Sequence, residues 1–353
     1  MLLRALLLFA LPLLCASEER TVVGAIRWDA WHGERSEVGK AVERNLSPEK
    51  WHGRLPFFAQ VLSKDRVRID GASQAILDRE IQYARAGALD YWAFLLYADG
   101  SAMNHGLEHF LASTLKRGLR FCLILEQGQW TTEEAATKQF TRIDSLLADP
   151  AYQRVAGSRP LLYILSAEPE SKSWGAQQPQ AAIRRLRALT LENPYVVVLD
   201  SRPKRAATLR QEFAADAISA YAYQRNGVNA PYAQLAREVE EFWDACRDIA
   251  SAVVPLVMTG WDRRPRVEQP VFWETWQRPN AGIERFYAAP TPAELSTYVE
   301  HAVDWAQAHD AKAILIYAWN ENDEGGWLVP TQKEGTSRLQ AVRSALRHRR
   351  PLK

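Results

Sequence analysis

The sequence predicts a single (β/α)8 barrel, an α/β fold in which eight parallel strands alternate with helices. Eight short apolar runs, rich in β-branched and aromatic residues, alternate with longer segments of helical periodicity. This rhythm continues without a linker or a shift in composition, which indicates one domain. A doubly wound open sheet is the alternative, but no glycine-rich phosphate loop follows any of the runs.

The eight apolar runs are the predicted strands. Unbroken apolar runs are typical of strands in a parallel sheet that is buried on both faces. The runs span residues 22–28, 89–97, 120–125, 160–165, 195–199, 217–223, 253–258 and 313–319.

The segments between the runs carry start and stop signals for helices. Ser73 can cap a helix that Gly87 ends, just before the second run. Thr131 and Glu134 form a capping box for the helix after the third run. Gly118 ends the helix that precedes the third run. These signals place a helix after each of these strands, as the barrel requires.

Residues 1–17 are predicted to be a signal peptide, and residues 18–353 the barrel. The first segment has one arginine, Arg4, then an apolar run over 5–14 and the small residues Ala16 and Ser17. About ten apolar residues are too few to span a bilayer core of roughly 30 Å. We therefore expect export to a secreted, periplasmic or otherwise extracytoplasmic location, with no membrane span in the mature chain.

Composition narrows the function classes. The net charge is +2 and basic residues are scattered among acidic ones, which argues against a nucleic-acid partner. Beyond the signal segment, Cys122 and Cys246 allow at most one disulfide, are best explained as small buried side chains, and show no metal-ligand spacing. The 13 tryptophans are unusual, and we expect many aromatic residues to act outside the core.

Loop lengths indicate the working face of the barrel. The connection over residues 29–72, after the first strand, has 44 residues, and the connection over 259–290, after the seventh, has 32. The returns from helix to strand are a few residues long. Long loops at the carboxyl ends of barrel strands build substrate clefts, so we expect the site there.

Aromatic, carboxylate and amide side chains follow the strands at that face. Aromatic rings stack on the C–H face of a sugar ring, and carboxylates accept hydrogen bonds from its hydroxyls, so this combination predicts a carbohydrate site. The predicted substrate-binding residues are Trp28, Asp29, Trp31, His32, Tyr97, Glu126, Tyr221, Tyr223, Trp261, Asp262, Trp319, Asn320 and Trp327.

Glu321 and Glu324 are the predicted catalytic residues. Two carboxyl groups three positions apart in a glycine-containing turn can approach to about 5 Å, close enough to act on one glycosidic bond. Their mutual repulsion raises one pKa and keeps a proton available near neutral pH. A solvated acidic loop is the alternative, but the flanking Trp319 and Trp327 favour catalysis.

Three segments resemble glycoside hydrolase family 99 and its relatives, which include domains accompanying polysaccharide-biosynthesis glycosyltransferases. They are Trp-Asp-Ala-Trp-His-Gly at 28–33, Gly-Trp-Asp at 260–262, and Trp-Asn-Glu at 319–321 followed by Glu-Gly at 324–325. The resemblance runs in order over roughly residues 22–342. Its most specific part is the last segment.

The resemblance implies a barrel that hydrolyses α-mannosides with retention, without a metal or other cofactor, through a 1,2-anhydro sugar. It implies that Glu321 takes the proton of the 2-hydroxyl and that Glu324 is the general acid, then base. In the family an aromatic residue and a histidine usually separate the two glutamates. This chain has Asn322 and Asp323 there.

Two functions from different classes stay open at this point. The first is an exported glycosidase, endo- or exo-acting, with a glycan or polysaccharide as substrate. The second is a non-catalytic carbohydrate-binding barrel or accessory protein of polysaccharide metabolism. A biosynthetic transferase partner fits less well, since an exported chain does not meet nucleotide sugars. A metal-dependent barrel hydrolase is disfavoured, because it needs a His-x-His pair where this chain has His32 alone.

Overall fold

The computed structural model describes residues 20–126, 133–165, 184, 187–188 and 193–347. In these ranges eight strands form one parallel sheet. They are β1 (Val22–Arg27), β2 (Tyr91–Leu96), β3 (Arg120–Glu126), β4 (Arg159–Leu165), β5 (Tyr195–Leu199), β6 (Ala217–Ser219), β7 (Leu256–Met258) and β8 (Ala313–Tyr317). Each strand begins within three residues of its predicted run.

The strands close into a barrel. Their order is β7-β8-β1-β2-β3-β4-β5-β6, and all neighbours are parallel. A parallel bridge between Ile218 of β6 and Val253, just before β7, joins the two ends of this order. The backbone nitrogen of Val254 donates to the carbonyl of Ile218 at 2.9 Å there. The prediction of a (β/α)8 barrel is therefore confirmed.

Helices surround the sheet. They are α1 (Glu37–Leu46), α2 (Gln74–Ala86), α3 (His105–Ala112), α4 (Glu133–Leu147), α5 (Pro203–Glu212), α6 (Tyr232–Arg247), α7 (Arg264–Glu268), α8 (Pro292–Ala308) and α9 (Ser337–Leu346). Helices α1 and α7 lie inside the two long loops that follow β1 and β7.

The caps predicted for α2 are present. Ser73 Oγ accepts from the backbone nitrogen of Ile76, and Gly87 follows the last residue of α2. Gly87 keeps a helical φ of −75°, while Ala88 takes the left-handed φ of 61°. Position 87 therefore requires glycine because of its small size and not because of its backbone conformation. A Cβ there would lie 2.7 Å from Leu339 of α9. The capping box predicted at Thr131 lies outside the described residues.

Gly118 does not end a helix. Helix α3 stops at Ala112, and Gly118 has a φ of 89° in the turn before β3. The helix ends early because Ser113 turns its hydroxyl to the side chain of Asp78, at 2.6 Å, and takes an extended backbone conformation. A serine that binds a neighbouring side chain in this way competes with continuation of the helix.

The barrel interior is packed with large side chains. Tyr91 and Tyr163 are fully buried, and their hydroxyls are 2.7 Å apart, while Tyr91 also donates to the carbonyl of Ile314 at 3.0 Å. Cys122 and Cys246 are free and buried, as predicted. No helix in the described ranges has the length and apolar character needed to cross a membrane. Residues 1–17, the predicted signal peptide, lie outside those ranges.

Candidate active site

A cleft of about 450 Å³ opens at the carboxyl ends of the strands. This is the end of the barrel at which the lengths of the loops after β1 and β7 predict the site. Both Glu321 and Glu324 lie in its wall. Its lining is Trp28, Val38, Leu95, Tyr97, Met103, Glu126, Leu165, Tyr221, Ala222, Trp261, Arg266, Phe272, Trp273, Glu321 and Glu324.

A short hairpin after β8 carries the two glutamates. Its strands are Asn320–Glu321 and Gly326–Trp327, and they pair antiparallel. The backbone nitrogen of Glu324 donates to the carbonyl of Glu321 at 3.1 Å, so one tight turn sets both side chains. Gly325 has a φ of 92°, and a Cβ on it would overlap the backbone of Asp262. Glycine is therefore required where the turn ends.

Glu321 is almost fully buried, with 3% of its surface exposed. The hydroxyl of Tyr221 donates to Oε1 at 2.8 Å, and Arg266 Nη2 lies 3.4 Å from Oε2. Burial, reinforced by the negative charge of Glu324, raises the pKa of Glu321 to about 8. Glu321 therefore holds a proton at neutral pH.

Glu324 has the opposite electrostatic environment. Burial opposes its ionisation, but the charges of Arg266 and Arg263 and the Tyr317 hydroxyl outweigh burial and hold the pKa of Glu324 below its usual value. Arg266 Nη1 and Arg263 Nε lie 2.5 and 2.9 Å from Oε1, and Tyr317 donates to Oε2. The pair thus carries one proton near neutral pH, and that proton lies on Glu321.

Arg266 is held in place by Asp323, one of the two residues between the glutamates. Arg266 Nε and Nη2 lie 2.6 and 3.2 Å from the two carboxylate oxygens of Asp323, which is fully buried. The amide of Asn45 donates to Asp323 at 3.2 Å. The ring of Trp28 lies 5.0 Å from the Arg266 guanidinium. The Asp323 carboxylate therefore aims one guanidinium at both glutamates.

Asn322 has a structural task. Its side-chain amide donates to the carbonyl of Arg54 at 2.7 Å, which ties the hairpin to the loop after β1. Asp262 Oδ2 is in turn paired with Arg54, and with Arg264 at 2.7 Å. These contacts fix the position of the turn relative to the two long loops.

Several predicted substrate-binding residues do line the cleft. They are Trp28, Tyr97, Glu126, Tyr221 and Trp261. The indole nitrogen of Trp28 donates to the hydroxyl of Tyr97 at 2.7 Å, so these two side chains hold each other at the wall.

The structure does not bring the remaining tryptophans of the prediction to the cleft. Trp319 is fully buried against Trp92, with ring centres 4.9 Å apart. Trp31 is buried and donates to the carbonyl of Asn320 at 2.6 Å. Trp327 lies under the guanidinium of Arg338, at 3.6 Å. All three side chains are at most 4% exposed, so none of them offers a ring face to a sugar.

The polar residues of the prediction that lie away from the cleft have internal partners. His32 is fully buried between the carbonyl of Asp29 and the hydroxyl of Ser36, at 2.9 and 2.6 Å. Asn320 bonds to the backbone nitrogen and carbonyl of Trp28, at 3.0 and 2.8 Å. Asp29 pairs with Arg27 at 2.8 Å. These side chains hold the backbone beneath the cleft.

Two further predicted residues lie beside the cleft without lining it. Tyr223 stacks on Phe242 with ring centres 4.4 Å apart. Asp262, paired with Arg54 and Arg264, is 7% exposed. Both pack or pair within the protein and leave no group directed at the cavity.

The sequence analysis placed the cleft beside the loop after β7 but missed four residues of that loop. Arg266, Phe272 and Trp273 line the cleft, and Arg263 contacts Glu324. The available signal was the density of arginine and aromatic residues over 261–276. Among the described residues, no group of three or more His, Cys, Asp or Glu side chains is arranged to hold a metal ion.

Comparison with known proteins places the fold. No family model and no curated protein sequence matches the chain. Two solved structures of the family 99 endo-α-mannosidase from Bacteroides thetaiotaomicron, one in complex with bis-tris-propane, superpose with TM-scores of 0.57 and 0.56. Both are 14% identical in sequence, and each match covers 92% of this chain and 95% of theirs. The fold is similar to that of a family 99 endo-α-mannosidase.

Proposed function

We propose that this protein is a glycoside hydrolase with Glu321 and Glu324 as its catalytic pair. The observation that carries the proposal is one cleft in which two neighbouring carboxyl groups have their pKa values pushed in opposite directions. Such pairs are typical of sites that need one proton donor and one carboxylate. The aromatic wall formed by Trp28, Tyr97 and Trp261 suits a sugar ring.

In this proposal Glu321 protonates the glycosidic oxygen. Its carboxyl group holds the proton at neutral pH, and it loses the proton as the leaving alcohol departs. Glu324 stays ionised, so it can stabilise positive charge at the anomeric carbon or accept a hydroxyl proton. This division reverses the roles that the family resemblance implies for the two glutamates. The experiment below separates the two assignments.

We propose an α-linked mannoside as the substrate, cleaved with retention and without a metal or cofactor. The sequence segments at 28–33, 260–262 and 319–325 and the fold of the endo-α-mannosidase support this choice. The sugar identity is open to direct measurement. Hydrolysis of an α-mannan panel, with the anomer of the first product followed by NMR, tests both substrate and stereochemistry.

The deciding experiment compares Glu321→Gln with Glu324→Gln on substrates with poor and activated leaving groups. Removing the general acid should lower kcat on poor leaving groups by about 10²-fold or more, and affect activated aryl glycosides much less. We expect this selective loss for Glu321→Gln and a loss on both substrate types for Glu324→Gln. The reverse pattern would restore the roles implied by the resemblance.

A matched control variant keeps the comparison clean. Glu268→Gln alters a carboxylate at the end of α7 that pairs with Lys50 at 2.7 Å and lies outside the cleft. It should leave kcat on both substrate types within about twofold of wild type. If the wild type hydrolyses no member of the panel, the enzyme proposal is wrong.

One observation favours the second candidate, a carbohydrate-binding barrel without turnover. Glu324 Oε1 contacts both Arg263 and Arg266, and its Oε2 accepts from Tyr317. A carboxylate engaged in this way is restrained from moving toward a substrate. Binding of an α-mannan with no product release, by the wild type and by both glutamine variants, would establish this function instead.

Export remains part of the proposal and rests on residues 1–17. Expression of the full chain beside a chain that starts at residue 18 tests it. The full chain should appear outside the cytoplasm with its N-terminus shortened, and the shorter chain should stay inside.

A further inference from the structure

We propose that Phe272 and Trp276, here called the rim aromatics, bind a carbohydrate chain where it leaves the cleft. They lie in the loop after β7, and 61% and 66% of their surfaces are exposed. Exposed large aromatic side chains that cluster beside a cleft are typical of a binding surface. The proposal rests on the proposed function, and it adds that the substrate is a chain of several sugars.

The loop that carries the rim aromatics is firmly anchored. Val271 and Gln277 are buried on either side of it. The backbone nitrogen of Glu274 donates to the carbonyl of Val271 at 3.1 Å, and that of Gln277 to the carbonyl of Glu274 at 2.9 Å. The Glu274 carboxylate is paired with Arg263. The turns therefore point their anchors inward and present Phe272 and Trp276 to solvent.

On one side, edge-to-face ring contacts connect the rim aromatics with the wall of the cleft. Phe272 meets Trp273 edge to face, with ring centres 4.9 Å apart. Trp273 meets Trp28 in the same way at 5.9 Å. Both Trp273 and Trp28 line the cleft beside the glutamates. A sugar chain that leaves the catalytic pair along this wall therefore reaches Phe272.

Arg263 makes the second connection. Its guanidinium lies 5.4 Å from the ring of Trp276 and 5.8 Å from the ring of Trp261, which lines the cleft. Arg263 Nε also lies 2.9 Å from Glu324 Oε1. Apolar ring faces bordered by a charged donor suit the two surfaces of a sugar, its C–H face and its hydroxyls. This chemistry selects a carbohydrate chain over an apolar partner.

The test measures binding separately from turnover. In a Glu321→Gln background, affinities for a soluble α-mannan and for methyl α-mannoside are measured by calorimetry. Phe272→Ala and Trp276→Ala should each weaken mannan binding about tenfold and change binding of the single sugar by less than about twofold. Trp276→Phe should keep most of the affinity, because it keeps a ring.

The controls separate the possible failures. Ile249→Ala removes another exposed apolar side chain, 43% exposed and in the turn before β7, and should leave both affinities unchanged. Unchanged mannan binding in both rim variants would overturn the proposal while leaving the proposed function standing. A weakened affinity in the rim variants of a protein that hydrolyses nothing would support the rim aromatics and reject the enzyme.

A second copy of the chain is the other possible occupant of the rim. Sedimentation velocity of the same variants tests it. A wild-type dimer that dissociates in Phe272→Ala and Trp276→Ala, with mannan affinity unchanged, would overturn the proposal in favour of self-association. A monomer in all variants, with the tenfold loss of mannan affinity, would support it.

Discussion

Two buried clusters of arginine and carboxylate side chains lie at the same end of the barrel, and they differ in what surrounds them. The first, the Arg27 cluster, consists of Arg27, Asp29 and Glu80. The second, the Arg266 cluster, consists of Arg266, Glu321, Asp323 and Glu324. Their chemistry is the same, since each places more carboxyl groups than arginines in a low-dielectric setting.

The Arg27 cluster is shielded from solvent. Arg27 Nε and Nη2 lie 2.8 and 2.9 Å from Asp29 and Glu80, and all three side chains are at most 4% exposed. The indole of Trp319 donates to the second oxygen of Glu80 at 2.9 Å. Asp29 follows β1 and Glu80 lies on α2, so two separate elements supply the carboxylates. This cluster joins β1 to α2, and none of its three side chains lines the cleft.

The Arg266 cluster places three carboxyl groups around one arginine and borders the cleft on one side. Its three carboxyl groups come from a single four-residue turn, and two of them line the cleft. Like charges that share one turn cannot all ionise in a buried setting, and the proton that remains lies on Glu321. A buried ion cluster is therefore a candidate for catalysis when like charges crowd together beside a cavity.

The largest effect is expected from a substitution that disrupts the Arg27 cluster. Arg27→Met leaves Asp29 and Glu80 buried without a positive partner, so the free energy of unfolding should fall by about 3–5 kcal/mol. Urea denaturation measures it. Adding Asp29→Asn and Glu80→Gln should recover most of the loss. A drop in kcat/KM at unchanged stability would instead place Arg27 in the chemistry.

The barrel itself was predictable from the sequence for a physical reason. Strands buried on both faces must be apolar throughout, so each run stands out without knowledge of its neighbours. The hairpin with Glu321 and Glu324 was predictable because its chemistry lies within a few consecutive residues. A glycine at 325 and two carboxyl groups in one turn need no long-range information.

The rest of the site depends on contacts that the sequence does not display. Trp319 follows a strand just as Trp28 does, yet it is fully buried against Trp92 while Trp28 lines the cleft. Arg266 and Trp273 reach the cleft from a long loop without periodicity, whose path is set by distant partners such as Asp323. The pKa order of the two glutamates follows from those arginines, so it could not be read from spacing.

The Arg266 cluster should also make the stability of the protein depend on pH, through Glu321. Glu321 has a folded-state pKa of about 8, above its unfolded value, so its contribution to stability is complete at low pH. That contribution is lost as the pH rises from about 4.5 through 8. Glu321→Gln removes this titration, so the free energy of unfolding of the variant should rise relative to that of the wild type by on the order of 4 kcal/mol between pH 4.5 and 8.

Urea midpoints at several pH values measure that difference, and the groups that both proteins share cancel. The same measurement on Glu80→Gln, in the Arg27 cluster, serves as the reference for a buried carboxyl outside the cleft. A constant difference between wild type and Glu321→Gln from pH 4.5 to 8 would show that folding does not raise the pKa of Glu321. The assignment of the proton donor would then fail.

The smallest expected effect compares one donor in each cluster. Tyr221 donates to Glu321 at 2.8 Å, and this hydrogen bond lowers the pKa of Glu321 against the opposing effect of burial. Tyr221→Phe should therefore raise that pKa, move the alkaline limb of the kcat/KM profile to higher pH, and change kcat/KM at pH 7 by less than about tenfold. Trp319→Phe removes the matching donor from Glu80 and should lower stability without moving the limb. A limb that moves equally in both variants, or in neither, would mean that Glu321 is not the group titrating in that profile.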